Sequence, residues 1–98
     1  MITFPDAISP VRRQRVEWGQ NIAQLLKDRD WSRKHLIWLV YDAYGIEISE
    51  PSLASWLKGD VAPRPDVQAA IAGVSGIPHH MLFPPVRLQR RTSQSGVA

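Results

Sequence analysis

The stretch that decides the fold is GIEISEPSLASWLKGD, residues 45–60. An apolar stripe runs through it at the i, i+3, i+4 spacing of one helix face: Leu53, Trp56 and Leu57. Ser49 precedes the stripe as an N-cap candidate, proline at position 51 fits the first turn, and Gly59 suits a helix end. The stretch therefore predicts a helix that begins at Ser49 or Glu50, ends at Gly59 and has an outer side of short side chains.

Two further helices are predicted before this stretch. The first begins after Ser9, with proline at its first position, and ends near Arg29 or Asp30. Its stripe follows i, i+4, i+7, i+8: Trp18, Ile22, Leu25 and Leu26. The second runs from Ser32 to Tyr44 with Gly45 after its end, and its stripe is Leu36, Val40 and Ala43.

Two helices are predicted after the stretch. Asp66 opens a fourth helix that Gly76 closes, with Val67, Ala70, Ile71 and Val74 as its buried stripe. PHHMLF forms a last short turn between Pro78 and Pro84. Because no segment alternates apolar and polar residues with period two, the prediction is an all-α fold of five short helices.

The basic charge lies at the two ends of the chain. Residues 10–16 and residues 84–98 each carry three arginines and no acid, while residues 17–83 hold six basic and eight acidic side chains. With Asp6, these regions give the net charge of +3. Basic ends around a mildly acidic body suit a polyanion such as nucleic acid, although solvated tails explain them equally well.

Several function classes are disfavoured by the sequence. The chain has no cysteine, which excludes disulfides, thiol catalysis and sulfur-ligated zinc. His79 and His80 diverge by about 100° on a helix, so we predict no metal site. No catalytic motif, phosphate loop, signal peptide or membrane span is present in the sequence. We therefore expect a cytoplasmic protein that is not an enzyme, with no cofactor and no small-molecule ligand.

The second and third predicted helices are joined by about four residues, which is typical of a helix-turn-helix motif. The second helix of such a motif enters the DNA major groove, which favours short side chains on its outer face. An ordinary surface helix with a small polar face remains the alternative interpretation.

The order of elements from Ile22 to Phe83 resembles the lambda-repressor-like helix-turn-helix family of Cro and repressor (XRE) type. The resemblance rests on IAQLLKDRDWS, ISEPSLASWLKG and APRPDVQAAIAGVSGIPHHMLF, which cover about two thirds of the chain. It implies a five-helix DNA-binding domain at residues 10–83, an N-terminal arm at 1–9 and a basic flexible tail at 84–98. The sequence departs from the family pattern in two places. The second helix is about a turn longer than usual, and the front of the third helix has Glu50 and Pro51 where longer polar residues are common.

The resemblance implies two sets of DNA-contacting residues. Base contacts would come from the front of the third helix: Glu50, Pro51, Ser52 and Ser55. Phosphate contacts would come from the start of the second helix, at Ser32, Arg33 and Lys34. The helix-turn-helix pattern itself adds Lys58 and, in the loop after it, Arg64. The basic charge of the two chain ends adds six arginines as possible arms: Arg12, Arg13, Arg15, Arg87, Arg90 and Arg91. The function implied is that of a transcriptional repressor of the phage Cro or immunity-repressor type in a bacterial or phage-infected cell.

The partner expected is a double-stranded DNA operator, bound by a homodimer or by a monomer with basic arms. Dimer contacts are predicted from PHHMLFPPV with the tail, or from Trp38 and Leu57. Two alternatives remain open at this point: an antitoxin of a toxin–antitoxin pair, and a protein-binding adaptor on the same fold.

Overall fold

The computed structural model describes residues 10–85, and within that range the chain forms five helices and no strand. The helices are α1 (Pro10–Arg29), α2 (Arg33–Tyr44), α3 (Glu50–Lys58), α4 (Pro65–Ser75) and α5 (His79–Leu82). The predicted all-α class is therefore confirmed. The predicted arm at 1–9 lies outside the described residues, as does the predicted tail at 84–98 except for Pro84 and Pro85.

The helix ends follow the capping residues of the sequence. Ser32 Oγ accepts a hydrogen bond from the His35 N–H at 3.0 Å, and Ser49 Oγ accepts one from the Ser52 N–H at 3.2 Å. α2, α3 and α4 each end at a glycine with positive φ: Gly45, Gly59 and Gly76. α4 begins at Pro65, one residue before the predicted Asp66, because proline fits the first helical position.

A single core cluster joins all five helices. Its buried members are Ile22, Leu25, Leu26, Leu36, Val40, Ile48, Leu53, Trp56, Val67, Ala70, Ile71, Leu82 and Phe83. Most of the predicted stripes are therefore confirmed. Ala43 is exposed instead of buried, because the last turn of α2 extends past the core, and Val74 is only half-buried.

α1 crosses α3 with the two backbones close together. Gly19 is buried, and a Cβ atom added to it would lie 2.8 Å from the Leu57 carbonyl oxygen and closer still to the Trp56 carbonyl oxygen. Gly19 permits this close crossing because it has no side chain. Helix packing of this kind fixes the position of α3 on the rest of the domain.

Side chains of α1 also bind the carbonyl ends of the other helices. Arg15 Nε donates to the Gly59 carbonyl after α3, and an Arg29 guanidinium N–H donates to the Ser75 carbonyl at the end of α4. Trp18 Nε1 donates to the Pro84 carbonyl at 2.7 Å, while its ring packs edge-to-face on Phe83. The two arginine bonds satisfy carbonyls at helix ends, which have no intrahelical partner, and the Trp18 bond holds the segment after α5 against α1.

None of the helices between residues 10 and 85 is long and apolar enough to cross a membrane.

Candidate nucleic-acid interface

The candidate interface is built on α2, the turn after it and α3. Residues 45–49 form the turn, which agrees with the predicted start of the third helix at Ser49 or Glu50. On the inner side of α3, Leu53 and Trp56 are buried in the core. The opposite side of α3 therefore faces outward at a fixed position.

The outer face of α3 carries one apolar ring, two small side chains and one lysine. Pro51, Ala54, Ser55 and Lys58 follow the i, i+3, i+4, i+7 spacing of one stripe. Pro51 and Lys58 are exposed, whereas Ala54 and Ser55 are half-buried. No long side chain precedes Lys58 on this stripe, so another surface can approach the α3 backbone closely.

Two serines at the start of α3 are hydrogen-bonded to each other. Ser49 Oγ lies 2.9 Å from Ser52 Oγ and also accepts the Ser52 backbone N–H. If Ser49 donates its hydroxyl proton to Ser52 Oγ, the Ser52 hydroxyl proton is left to donate outward. Ser52 is exposed, as is Glu50 beside it. The front of α3 thus presents a hydroxyl group and a carboxylate.

Cationic side chains flank this front on two sides. Arg33 and Lys34 lie in the first turn of α2, and both are exposed. Lys58 ends α3, and Arg64 follows in the loop before α4, where its Nε lies 3.4 Å from an Asp66 carboxylate oxygen. That ion pair is exposed and therefore weak, so the guanidinium group can still bind an anion.

The other residues predicted to contact phosphate have different surroundings. The Ser32 hydroxyl group caps α2. Arg12 and Arg13 are exposed on the first turn of α1, whereas Arg15 is half-buried and donates to the Gly59 carbonyl. Arg87, Arg90 and Arg91 lie outside the described residues, and their contact with DNA stays a prediction.

Sequence reasoning missed one feature of this surface, a groove beside α3. The exposed or half-buried residues Lys34, Ile37, Trp38 and Tyr41 of α2 form its wall, at the i, i+3, i+4, i+7 spacing. The same spacing in the sequence could have revealed this second stripe. The exposure predicted for Trp38 is confirmed, whereas Leu57, the other predicted dimer contact, is half-buried against the core.

Two of the three histidines, His35 and His79, make local packing contacts among the described residues. His79 Nε2 lies 2.8 Å from the buried Gln68 Oε1, an atom that can only accept, so Nε2 carries a proton. His35 packs between Trp31 and Trp38. Between residues 10 and 85, no three His, Cys, Asp or Glu side chains are grouped as metal ligands would be.

The fold and this surface define a small five-helix domain whose third helix presents a short-chained outer face between cationic flanks. Comparison of the chain with family models, with curated proteins and with solved structures gave no match.

Proposed function

We propose that this protein is a sequence-specific double-stranded DNA-binding regulator that uses α2 and α3 as a helix-turn-helix. The observation that carries the proposal is the outer face of α3. Its side chains are short, its inner side is buried, and cations lie at α2 and in the loop before α4. The DNA major groove, which is about 12 Å wide, admits an α-helix, and short side chains on that helix let its backbone approach the base edges closely.

The residues divide into two roles. Glu50 and Ser52 at the front of α3 would contact base edges, and Ser55 and Pro51 would contact bases along the stripe. A carboxylate can accept from a cytosine amino group, and a hydroxyl can donate to a purine or a thymine oxygen. Arg33, Lys34, Lys58 and Arg64 would bind phosphates, which set the register of the helix in the groove.

The regulator would act as a repressor by occupying an operator, in the manner of a Cro-type or immunity repressor. Two copies would place their α3 helices about 34 Å apart in successive major grooves.

Selection of binding sites from a random duplex pool tests the proposal with the full chain. We expect enrichment of a palindrome with half-sites about one helical turn apart, which a dimer requires. An asymmetric site would support a monomer that uses its basic ends. If no sequence is enriched and binding vanishes with added salt, DNA reading is contradicted and the protein-binding adaptor becomes the better interpretation.

The charge-reversed variant Arg33→Glu then tests whether the start of α2 lies against the DNA backbone. We expect it to weaken binding to the selected duplex by at least about tenfold and to lower the salt dependence, because a phosphate contact is lost. Lys27→Glu is the matched control, because Lys27 is exposed near the end of α1 and this substitution changes the net charge by the same amount as Arg33→Glu. Equal losses in the two variants would mean that only overall charge matters.

A further inference from the structure

An open groove of about 880 Å³ lies between α2, the start of α3 and the loop before α4. We call it the α2–α3 groove. Its volume falls within the range of small-molecule sites, roughly 300–1,000 Å³. Three kinds of side chain line the groove, and each kind matches one part of a single class of ligand.

Aromatic rings form one part of the lining. Trp38 and Tyr41 are 56% and 53% exposed, and they are neighbours on α2 at the i, i+3 spacing. The floor below is apolar and consists of buried side chains: Ile48, Trp56 and Val67. The His35 ring stacks on one face of the Trp38 indole, so the open aromatic surface consists of the rest of that indole and the Tyr41 phenol ring. These rings above an apolar floor suit a flat ring system. Stacking on such faces stabilises nucleobases in nucleic-acid-binding proteins.

Cations form the second part of the lining. Lys34 comes from the first turn of α2, and Arg64 comes from the loop before α4. The Lys34 ammonium group has no hydrogen-bond or ion-pair partner among residues 10–85, and Arg64 has only the exposed pair with Asp66. An ammonium group and a guanidinium group at one groove suit a phosphate group.

Carboxylates form the third part. Glu47 lies in the turn after α2, and Glu50 is the first residue of α3. Neither carboxylate has a partner among the described residues. They repel an anion but accept hydrogen bonds from the edge of a base that carries donors. A ligand with a flat ring, a phosphate and a donor edge therefore matches the whole lining.

We propose that the α2–α3 groove binds a free guanine nucleotide. The base would stack on Trp38 and Tyr41, and the phosphate would lie against Lys34 and Arg64. Guanine carries two adjacent donors, N1–H and the exocyclic amino group, which match the two oxygens of one carboxylate from Glu47 or Glu50. Adenine offers a single amino donor on that edge and forms a weaker match.

The groove shares residues with the surface proposed for DNA. Lys34, Glu50, Ser52 and Arg64 line the groove and are also candidate DNA contacts. A bound nucleotide and a bound duplex would therefore exclude each other. This competition rests on the proposed DNA function, whereas nucleotide binding itself is measured without DNA and does not depend on it.

Titration of the full chain with guanosine monophosphate, followed by heteronuclear NMR, tests the site. We expect a saturable shift of the Trp38 indole signal at millimolar nucleotide, and weaker binding of both adenosine monophosphate and guanosine. Trp38→Ala, in which the backbone amide signals of Tyr41 and Glu47 report binding, should weaken it about tenfold, because one stacking surface is lost. Met81→Ala is the matched control: Met81 is 62% exposed on α5 and does not line the groove.

Two further variants examine the two ends of the ligand. Lys34→Ala should reduce the advantage of the monophosphate over guanosine, and Lys34→Ala combined with Arg64→Ala should remove it. Glu47→Gln combined with Glu50→Gln should remove the preference for guanine over adenine. The absence of a saturable shift, or equal effects of Trp38→Ala and Met81→Ala, would overturn the proposal.

A single-stranded pentanucleotide, TTGTT, distinguishes the free ligand from a nucleotide within a strand. If it shifts the Trp38 signal while the monophosphate does not, the free-nucleotide proposal is wrong. Competition is measured last, against the duplex obtained by site selection. Should nucleotide bind the groove in the absence of any duplex binding, the DNA function fails and the nucleotide site stands.

Discussion

The two sides of α3 differ in how closely the rest of the domain packs against them. On the α1 side, Gly19 lets two backbones approach to near contact, and Arg15 binds the carbonyl that follows the helix. On the α2 side, exposed aromatic rings line an open groove. Substitutions of residues packed on the first side or buried beneath the groove should change stability, whereas substitutions of the exposed rings in the groove should change binding with little effect on stability.

The largest expected difference is between two tryptophans. Trp56→Ala should destabilise the domain by about 3–5 kcal/mol, because the indole is 8% exposed and its loss leaves a cavity. Trp38→Ala should cost under about 1 kcal/mol, because that indole is already more than half exposed. Urea unfolding of both variants measures the difference, and similar losses would show that the groove wall is part of the core.

Gly19→Ala examines the backbone crossing directly. The added methyl group would collide with two carbonyl oxygens of α3, which cannot move without displacing the helix. We expect a loss of about 2–3 kcal/mol, although alanine is the better helix former. Gln20→Ala, at the next and exposed position of α1, is the control. A Gly19→Ala variant as stable as its control would mean that α1 and α3 are not in close contact.

A pair of glycines separates backbone strain from packing. Gly45 and Gly59 both have positive φ, but a Cβ at Gly45 would meet nothing within 4 Å, whereas one at Gly59 would lie 2.8 Å from a Val16 methyl group. Gly45→Ala should cost about 1 kcal/mol from the left-handed backbone alone. Gly59→Ala should cost about 1 kcal/mol more. Thermal unfolding of the two variants would contradict this if Gly45→Ala were the less stable.

The smallest expected effect is at the front of α3. Ser49→Ala removes an N-cap and should cost about 1 kcal/mol, as Ser32→Ala should at α2. Compared with Gly45→Ala, a variant of similar expected stability at a residue outside both sets of DNA contacts, Ser49→Ala should weaken DNA binding, because Ser49 also holds the Ser52 hydroxyl group. Titration of the selected duplex measures that difference, and equal affinities would remove Ser49 from the proposed reading surface.

Local signals in the sequence account for most of the helix boundaries. Ser32, Ser49 and the terminal glycines act through bonds to residues a few positions away, so their effect can be predicted without the tertiary fold. Apolar spacing likewise predicted the core side of each helix. Apolar spacing was wrong at Ala43, which is exposed. The periodicity gives the face of a helix but not how far along the helix other elements pack against that face.

Features that depend on how helices cross could not be predicted in this way. From the sequence alone, Gly19 is only a residue of low helix propensity. Its contribution, room for the α3 backbone against α1, is evident only when the two helices are packed together. In the sequence, Arg15 is recognisable only as one of the three arginines of the basic residues 10–16. In the structure its Nε donates to the carbonyl of Gly59, 44 positions away. The groove requires α2, the turn and the loop before α4 at once, and no local spacing encodes their mutual position.

The hydrogen bonds from α1 to the end of the domain have a consequence during protein synthesis. Trp18 binds the carbonyl of a residue 66 positions later, and Asn21 binds one 61 positions later. α1 therefore leaves the ribosome long before its partners exist. Because the last core side chains, Leu82 and Phe83, emerge only at the end, the finished domain should assemble after translation has passed residue 84 rather than helix by helix.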